Sequence, residues 1–483
     1  MKQLLEMDQS TISGFRVTTS MVEENKKKRV IILGAGVTGL AAGIRFLDSG
    51  FDVCILEKSM YAGGLAKTIV REGYRLDLGP HHLFSQNETI LKEIVDLFEK
   101  DELVLVSRDV KLLFHDRYLK YPLTAKGVLL HMGLKHAFFG SLSYIWMAFR
   151  RLLFRNIKDD NFHDWAKNNF GGYLFEIFFK PYTEQFWGIP CKEMSLDCIP
   201  LATKMSFFKT LKMIFLKKFE KQSLSVAERE TTLKLFYPVQ GIGAIAKKLE
   251  DSFLSKGGVI KLNCAVSELI CKEDSAFILH YKDGDNLITD EAARIISTIP
   301  ISSLVKIIRP VPPASVFQSA DNLKYLSTII LYIAISDRDF MDCQYLYMVN
   351  RPYNRISNIN RFHHKLSPEG ENVLALEITC HFDDNTWKNS DDELFEKSIV
   401  HLESDQIINR DEVKKFFSVR VKNAYPFYRL GYRENLAEIL GHLKQTPNLT
   451  LIGRTGAFKY MDIDQCMEDT AGLIKRLKHE GTI

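Results

Sequence analysis

A glycine-rich turn that follows a short apolar run restricts the possible folds of this chain more than any other part of its sequence. Residues 29–33 read Arg-Val-Ile-Ile-Leu, which is typical of a strand buried on both faces of a parallel sheet. The turn Gly34-Ala-Gly-Val-Thr-Gly39 comes next, and an apolar helical pattern then continues to Gly50. A second strand-like run, residues 52–56, ends at Glu57. Strand, turn, helix and strand together predict a βαβ unit of about thirty residues.

Each glycine of this turn has a role in holding a dinucleotide. Gly34 permits the tight turn, Gly36 lets the backbone approach a pyrophosphate, and Gly39 allows the helix to pack closely on the strand. The N-terminus of the helix offers N–H groups and a partial positive charge to phosphates. We therefore predict that a dinucleotide contacts Gly34, Gly36, Val37, Thr38 and Gly39.

A carboxylate and a second glycine turn indicate which dinucleotide is bound. Glu57 stands where a carboxylate accepts hydrogen bonds from the adenosine ribose, and the alternative is a solvent-facing strand end beside Lys58. Gly63, Gly64 and Leu65 follow shortly after. A glycine turn at this place lets the backbone lie against a bound FAD, whereas a plain nicotinamide dehydrogenase has no need of it. We therefore predict FAD, with all five of these residues among its contacts.

Further motifs along the chain extend this pattern. They are Asp77-Leu-Gly-Pro-His81, Phe179-Lys-Pro-Tyr-Thr-Glu-Gln-Phe-Trp-Gly-Ile-Pro190, Tyr237-Pro-Val-Gln-Gly-Ile-Gly243, Ser297-Thr-Ile-Pro300 and Gly453-Arg-Thr-Gly-Ala-Phe-Lys-Tyr-Met-Asp462. Together with the glycine turn, they resemble the superfamily of FAD enzymes that contains amine oxidases, protoporphyrinogen oxidases and UDP-galactopyranose mutases. The motifs at 179–190 and 453–462 are most similar to the mutase-like branch.

This resemblance implies an α/β fold with a Rossmann-like FAD-binding domain of the GR2 type, assembled from separated segments, and an inserted α+β substrate domain. The expected boundaries are an N-terminal extension at 1–28, FAD-binding segments at 29–111, 237–300 and 421–483, a largely helical substrate or cap domain at 112–236, and a substrate-domain sheet at 301–420.

The resemblance also implies where the flavin end of the cofactor lies. Gly453 and Arg454 are expected near the ribityl chain and pyrophosphate. A helix from Asp462 is expected to direct its N-terminus at the flavin pyrimidine ring, where helix N–H groups stabilise negative charge on reduced flavin. His81 matches a histidine beside the flavin ring, with a satisfied turn histidine as the alternative. The other implied cofactor contacts are Gly79, Pro80, Val266, Thr298, Met461, Gln465 and Cys466.

The substrate face is less sharply defined. Its predicted catalytic contacts are His81, Tyr182, Trp187 and Arg429, with flavin N5 as the main reactive centre. Lys120, Tyr121 and Tyr432 are further candidates, and each residue taken singly also fits a packing or surface role. The arginines that neutralise a nucleotide diphosphate in the mutases have no evident counterpart in this chain, which argues against a galactopyranose mutase.

Two main chemistries stay open. The favoured one is oxidation or reduction of a polar, nucleotide-sugar-like small molecule, with hydride transfer at flavin N5. The alternative is isomerisation of a nucleotide sugar by reduced flavin acting as a nucleophile, without net redox change. Oxidation of a porphyrinogen or an amine is a further alternative, and a non-catalytic binding module is the least favoured one.

Composition restricts partners and compartment. The net charge of +4, with acids and bases nearly balanced, offers no bulk electrostatic argument for nucleic acid binding. None of the eight cysteines forms a CxxC pair, which favours a reducing, cytoplasmic compartment and no metal site. Leu142–Leu153 and Phe207–Phe219 combine apolar and basic residues. Such stretches can lie on a membrane surface, but we favour a cap over a substrate domain. A small-molecule substrate is the expected partner, and the oligomeric state stays open.

Overall fold

The computed structural model describes residues 29–79, 82–107, 109–114, 117–121, 134–153, 158–198 and 235–483. Within these residues the chain divides into two compact units. The first unit is built from 29–66, 245–322 and 435–483, and the second from the described parts of 67–244 and 323–434. Each unit therefore consists of segments that are distant in sequence.

The described strands, in chain order, are β1 (Arg29–Leu33), β2 (Asp52–Leu56), β3 (Thr68–Arg71), β4 (Tyr74–Asp77), β5 (Leu103–Val106), β6 (Val110–Phe114), β7 (Arg117–Tyr121), β8 (Leu235–Pro238), β9 (Val259–Lys261), β10 (Val266–Cys271), β11 (Phe277–Asp283), β12 (Asn286–Ala292), β13 (Arg294–Ser297), β14 (Ile308–Arg309), β15 (Tyr325–Ser336), β16 (Tyr345–Tyr347), β17 (Arg355–Asn358), β18 (Glu371–His381), β19 (Val413–Pro426) and β20 (Leu449–Leu451).

The main helices are α1 (Val37–Asp48), α2 (Glu88–Val95), α3 (Leu134–Leu153), α4 (Phe162–Phe170), α5 (Lys180–Trp187), α6 (Gly243–Ser255), α7 (Ile301–Ile307), α8 (Ala314–Asn322), α9 (Asp391–Ser404), α10 (Tyr432–Leu443) and α11 (Ile463–His479). One π-helical turn, Phe175–Phe179, leads directly into α5.

A five-stranded parallel sheet forms the centre of the first unit, in the order β20-β13-β1-β2-β9. Strand β1 is hydrogen-bonded to β2 on one side and β13 on the other, and Val30, Ile31 and Ile32 are completely buried. A continuous apolar run is what a strand in this position needs, because helices and loops cover both faces of a parallel sheet. The predicted βαβ unit and its Rossmann-like class are confirmed. A separate four-stranded sheet has the order β12-β11-β10-β14.

A seven-stranded sheet dominates the second unit, in the order β19-β15-β18-β17-β16-β6-β7. The long strand β15 is buried on both faces. Its odd-numbered apolar residues, such as Ile333, pack against Leu394 and Ile399 of α9, while Tyr332 and its even-numbered neighbours pack with Tyr237. This two-sided burial explains why β15 reads in sequence as an unbroken apolar run rather than as an alternating one.

The unit boundaries differ from the expected ones. The first expected FAD-binding segment ended at residue 111, but the described part of 67–111 belongs to the second unit. After Ala66 the chain leaves the parallel sheet, because β3 and β4 pair only with each other and Tyr74 packs into the core of the second unit. Strands β6 and β7, expected in a largely helical segment, instead extend the seven-stranded sheet.

The expected substrate-domain sheet at 301–420 is likewise divided. Helices α7 and α8 belong to the first unit. Within 301–420, the strands of the seven-stranded sheet begin at Tyr325. The expected extension at 1–28 and the basic stretch Phe207–Phe219 lie outside the described residues. None of the described helices combines the length and the apolar character that crossing a membrane requires.

Candidate functional site

The glycine turn between β1 and α1 is sterically restricted to glycine at two positions. A Cβ at Gly39 would lie 1.9 Å from the carbonyl oxygen of Gly34. At Gly34 the φ angle is +101°, and a Cβ would lie 2.5 Å from Oγ1 of Thr298. Larger residues therefore fit at neither position, and the turn brings the start of α1 close to the end of β1.

The N-terminus of α1 is open toward a ligand. Its N-cap is Gly36, which has no side chain to accept a hydrogen bond from the first turn, and no acidic residue lies in that turn. By contrast, Ser390 and Glu393 at the start of α9 satisfy their own helix with a capping box. The first N–H groups of α1 are therefore left for an external acceptor, and the dipole favours an anion there.

A second glycine pair lies against this turn. Gly36 and Gly63 form a parallel backbone bridge, and the N–H of Gly63 donates to the carbonyl of Ala35 at 2.8 Å. A Cβ at Gly64 would lie 3.1 Å from Cα of Gly36. Absent side chains on both segments leave backbone surface that a pyrophosphate has room to approach.

Glu57 is a buried carboxylate and not a solvent-facing strand end. Glu57 is only 7% exposed. Its two carboxylate oxygens accept hydrogen bonds from the N–H groups of Ala35 at 2.9 Å and Ser59 at 2.8 Å. A carboxylate oxygen accepts more than one hydrogen bond, so both oxygens retain capacity for ribose hydroxyls. The backbone of Glu57 also accepts from Cys264, two residues before Val266.

Two later segments close on the same turn. A Cβ at Gly453, where φ is +76°, would lie 2.6 Å from Oγ1 of Thr38. The hydroxyl of Thr455 donates to the carbonyl of Thr298 at 2.7 Å, and the hydroxyl of Thr298 donates to the carbonyl of Leu33 at 2.8 Å. Three distant segments thereby build one site around the start of α1.

The start of α11 is partly satisfied by its own side chains. Asp462 accepts from the N–H of Gln465, and the Gln465 side chain accepts from the N–H of Asp462 at 3.0 Å. Burial raises the pKa of Cys466, and a hydrogen bond with Thr38 opposes that rise.

The segment before α11 holds Arg454 against an aromatic ring. The Arg454 guanidinium lies 4.6 Å from the centre of the Tyr460 ring. Met461, the next residue after Tyr460, is buried.

A glycine turn, an open helix N-terminus and a buried carboxylate at the end of the second strand define a dinucleotide-binding fold of the Rossmann-like class. The profile of the flavin-containing amine oxidoreductase family matches residues 37–454, so the chain belongs to that family. It is an FAD-dependent oxidoreductase by membership, and the predictions of superfamily, cofactor and enzyme class are confirmed.

Individual relatives are distant. Coproporphyrinogen III oxidase of Staphylococcus aureus is 22% identical over 466 residues, which cover 91% of this chain and 97% of that protein. A 1-hydroxycarotenoid 3,4-desaturase from a Flavobacterium species is 49% identical, but over only 53 residues, 11% of each chain. The high local identity is confined to a short segment, so it carries no information on the substrate.

Solved structures share the fold. Reduced UDP-galactopyranose mutase matches with a TM-score of 0.77 and 18% identity, covering 93% of this chain and 96% of its own. A putrescine oxidase variant matches with a TM-score of 0.62 and 16% identity, covering 93% of this chain and 99% of its own. Because these proteins are named for different reactions, the shared fold leaves the reaction open.

The residues of the first unit fit the adenosine and pyrophosphate parts of FAD. Gly36 and Gly64 leave room for the pyrophosphate, the open N-terminus of α1 suits its charge, and Glu57 is placed for the ribose. All of the individual cofactor contacts assigned from the sequence, from Gly34 to Cys466, stay predictions.

A buried ion pair occupies the centre of the second unit. Arg355 of β17 and Glu377 of β18 stand directly opposite in register, and the Arg355 Nε donates to Glu377 Oε2 at 3.0 Å. Their side chains are only 17% and 4% exposed. Burial is the largest effect on Arg355 and by itself lowers its pKa, but Glu377 and the neighbouring tyrosines together outweigh burial and hold the pKa well above its ordinary value.

Tyrosines surround this pair. The Arg355 guanidinium lies 5.4 Å from the ring centre of Tyr345 and 5.7 Å from that of Tyr347, and the Tyr425 hydroxyl donates to Glu377 at 3.2 Å. Tyr182 of α5 meets Tyr347 edge to face at 5.5 Å. These six residues, Tyr182, Tyr345, Tyr347, Arg355, Glu377 and Tyr425, are called the tyrosine–arginine cluster below.

Hydrogen bonds fix α5 on the sheet. The Gln185 amide donates to the carbonyl of Tyr353 and to the Asn354 side chain, both at 3.1 Å. The hydroxyl of Thr379 donates to the carbonyl of Phe186 at 2.6 Å. The position of Tyr182 is therefore set by the strands that carry Arg355 and Glu377, which is the kind of support that keeps a binding site rigid.

The structure places the predicted substrate-face residues in different surroundings. Tyr182 belongs to the cluster, and a Cβ on Gly79 would lie 3.6 Å from Glu377 Oε2. Trp187 packs instead on Phe427 and Tyr428.

Two other candidates for the substrate face contact acidic residues outside the tyrosine–arginine cluster. Arg429 is 61% exposed and ion-paired with Glu193 at 2.7 Å, while the Tyr432 hydroxyl donates to Asp197 at 2.5 Å. Pro80 and His81, with the side chains of Lys120 and Tyr121, lie outside the described residues. All of these catalytic assignments stay predictions.

Sequence reasoning missed Arg355 and Glu377, although a signal was available. Glu377 is the one charged residue in the run 373–379, which is otherwise apolar or threonine. A charge in the middle of a buried strand requires a partner, because an unpaired buried carboxylate is strongly unfavourable. The partner could not be read from sequence, since Arg355 lies 22 residues away on a neighbouring strand.

Proposed function

We propose that this flavoenzyme oxidises or reduces a polar, ring-bearing small molecule of the nucleotide-sugar kind, which the tyrosine–arginine cluster recognises. The observation that carries the proposal is a buried Arg355–Glu377 pair ringed by four tyrosines. A site for an apolar polyene would be lined by aliphatic side chains, whereas this cluster offers aromatic faces together with hydrogen-bonding groups.

Bound FAD supplies the acceptor or donor of the hydride. The chain supplies recognition and orientation. Aromatic faces of Tyr182 and Tyr347 suit the flat side of a sugar or base, and Glu377 and the Tyr425 hydroxyl suit ring hydroxyl groups. Burial raises the pKa of Tyr182 well above its ordinary value, so this phenol remains a neutral hydrogen-bond donor at physiological pH.

The charge balance of the cluster favours an uncharged reacting ring over a diphosphate. Arg355 is already neutralised by Glu377, so the described cluster carries no net positive charge for phosphates. The second candidate function, isomerisation of a nucleotide sugar by reduced flavin, needs the same ring recognition. The same tyrosines support both functions, and the redox requirement distinguishes them.

An anaerobic titration of the holoenzyme tests the reaction class. We expect a UDP-sugar or a related polar sugar to bleach the flavin absorbance, while a diamine and a porphyrinogen leave it unchanged. Isomerisation of a UDP-sugar by prereduced enzyme, with no bleaching of the oxidised form, establishes the second candidate instead. Bleaching by the diamine or the porphyrinogen alone overturns the proposal.

A variant links the activity to the cluster. Tyr425→Phe removes the hydroxyl that donates to Glu377 and keeps the ring, so we expect KM to rise about tenfold with a smaller effect on kcat. Tyr118→Phe, at an exposed tyrosine of the same sheet, is the control and should leave both constants unchanged. Equal kinetics for the two variants contradict the assignment of the cluster.

A further inference from the structure

Helix α3 presents a continuous apolar face to solvent. Phe138, Leu142, Ile145, Phe149 and Leu152 recur every three or four residues and are between 51% and 79% exposed. At 100° per residue these side chains lie on one side of the helix, and Trp146, 64% exposed, lies beside them. Soluble proteins rarely expose an apolar stripe of this length without a partner for it.

The opposite side of α3 is the one that packs on the protein. A Cβ at Gly140 would lie 3.0 Å from Leu174, and Met147 is buried. The hydroxyl of Ser143 accepts from the N–H of Tyr173 at 3.0 Å. The helix therefore packs on the protein through its small and polar side. Its apolar face is on the other side and is exposed to solvent.

Basic residues flank the apolar face. Residues 134–153 contain Lys135, Arg150 and Arg151 but no acidic residue. A groove of about 820 Å³ beside the helix is lined by Trp146, Arg150, Lys158 and Lys167, among other residues. Asp164 also lines the groove and Lys167 is ion-paired with Glu176 at 3.4 Å, so the positive charge offered beside the apolar face comes mainly from the helix itself. The chemistry next to the apolar face therefore suits anionic headgroups.

Self-association fits this helix less well. Two copies paired in parallel place Arg150 opposite Arg150, and two antiparallel copies place Lys135 opposite Arg150. With no acidic residue on the helix, both arrangements bring like charges together. An anionic lipid surface has the opposite charge, and an exposed tryptophan at the edge of an apolar face is typical of helices at a membrane–water interface.

We infer that α3 docks the protein on an anionic membrane surface. The apolar face enters the boundary between headgroups and acyl chains, with the helix axis in the membrane plane, while Lys135 and Arg150 on the same helix contact headgroups. The inference is independent of the proposed function, because it rests on α3 and not on the tyrosine–arginine cluster. It revises our sequence-based preference for a cap, since an exposed apolar face covers no substrate.

Vesicle flotation of the full-length holoenzyme tests this inference. We expect binding to vesicles of phosphatidylcholine mixed with phosphatidylglycerol, and much weaker binding to phosphatidylcholine alone. The double variant Ile145→Gln/Phe149→Ser should lower the partition coefficient at least about tenfold. Its matched control is Val70→Gln/Leu105→Gln, which changes two residues of the second unit that are 63% and 62% exposed.

Charge and fluorescence give two independent readouts. Arg150→Glu should weaken binding to the anionic vesicles, whereas Lys272→Glu, at an exposed lysine of the first unit, should not. Trp146 emission should shift to the blue on binding, and Trp146→Phe should abolish that shift while the protein still floats. An unchanged flavin spectrum and melting midpoint verify that each variant is folded.

Three results overturn the inference. One is absence of flotation with both vesicle types. Another is a dimer in solution that dissociates in Ile145→Gln/Phe149→Ser without any vesicle binding, which identifies a second copy as the occupant. The third is Trp146 emission that is already shielded from an aqueous quencher in the free protein, which identifies another segment of this chain as the cover.

Discussion

Glu57 connects the glycine turn to the end of the second strand through two backbone donors. Its carboxylate accepts from Ala35 and Ser59 while the residue is nearly inaccessible to solvent. One side chain thus shapes the turn and is also predicted to hold the ribose, so changing it should affect cofactor affinity more than overall stability.

We expect Glu57→Gln to lower FAD affinity by about 10- to 100-fold, because the amide replaces one acceptor oxygen with a donor that faces a backbone N–H. Titration of apoprotein with FAD, followed by flavin fluorescence, measures the change. Glu273→Gln, at an exposed glutamate of the first unit, serves as the control and should leave the affinity unchanged. If both variants bind FAD equally well, the role of Glu57 is refuted.

Asp77 is a second buried carboxylate, in the second unit. It accepts from the hydroxyl of Thr68 at 2.6 Å, the hydroxyl of Tyr237 at 2.5 Å and the N–H of Ile242 at 3.0 Å. Burial raises the pKa of Asp77 from 3.8 to about 6, although all three hydrogen bonds oppose that rise. Desolvation of the carboxylate therefore outweighs its donors.

The raised pKa of Asp77 predicts a pH dependence of stability. The folded state binds the proton more tightly than the unfolded state, so the stabilisation is complete below about pH 4 and is lost as the pH rises through about 6. A shift of about two pH units corresponds to about 3 kcal/mol. The free energy of unfolding of the wild type relative to Asp77→Asn should fall by about that amount between pH 4 and pH 7.

Urea unfolding at a series of pH values measures this difference. Asp101→Asn, at an exposed aspartate of the same unit, provides the comparison, and its stability relative to the wild type should not vary in this way. A constant difference between wild type and Asp77→Asn across the series would falsify the prediction.

At the scale of elements, two glycines near the C-terminus have opposite requirements. Gly453 adopts a φ of +76°, and a Cβ there would meet Thr38 at the start of α1. Gly472 lies inside α11 with no atom within 4 Å of its hypothetical Cβ. The first glycine joins two elements of the predicted cofactor site, whereas the second only adds backbone freedom to a helix.

Gly453→Ala should destabilise the protein by about 1–3 kcal/mol and weaken FAD binding, because both the backbone angle and the contact with Thr38 oppose a side chain. Chemical denaturation and FAD titration measure the two effects. Retention of wild-type stability and FAD affinity would show that the segment adapts to a Cβ, contrary to the observed packing.

Gly472→Ala should have the opposite sign. Removing a glycine from an exposed helix interior stabilises a protein by about 0.4–1 kcal/mol, mainly by reducing the freedom of the unfolded chain. The same denaturation experiment measures it, and FAD affinity should not change. A destabilised Gly472→Ala variant would mean that α11 makes a contact at this position in solution that its open surroundings exclude.

Elements were predictable to different degrees. Strands β1 and β2 have the predicted bounds, residues 29–33 and 52–56. Local patterns suffice there because these strands are buried along their length. Sheet membership was not predictable, since β6 and β7 join the seven-stranded sheet through a parallel pairing with β16, more than 200 residues later.

At the scale of the whole molecule, the cofactor site depends on segments far apart in the chain. Thr38, Thr298 and Gly453 meet in the first unit, although the second unit supplies the chain between them. A ligand held by all three segments binds the folded unit and not the unfolded chain, so its binding free energy adds to the stability of that unit.

Removal of FAD should therefore lower the stability of the first unit. With FAD at about 100 times its Kd, the expected stabilisation is about 2.7 kcal/mol. Hydrogen exchange of apoprotein and holoprotein should show the largest gain of protection in residues 29–66, 294–298 and 449–470. Equal gains throughout the strands of the seven-stranded sheet would contradict this localisation.

Local sequence features were sufficient to predict the cofactor and the class of fold. Turn chemistry, helix start and strand-end carboxylate are local features, and the geometry of the β1–α1 turn follows from residues 33–39 and Glu57 almost without the rest of the chain. The tertiary structure alone decided the unit boundaries, the Arg355–Glu377 pair and the outward direction of the apolar face of α3. These depend on which strands pair and which side of a helix packs, and such choices are made by contacts between residues that are distant in sequence.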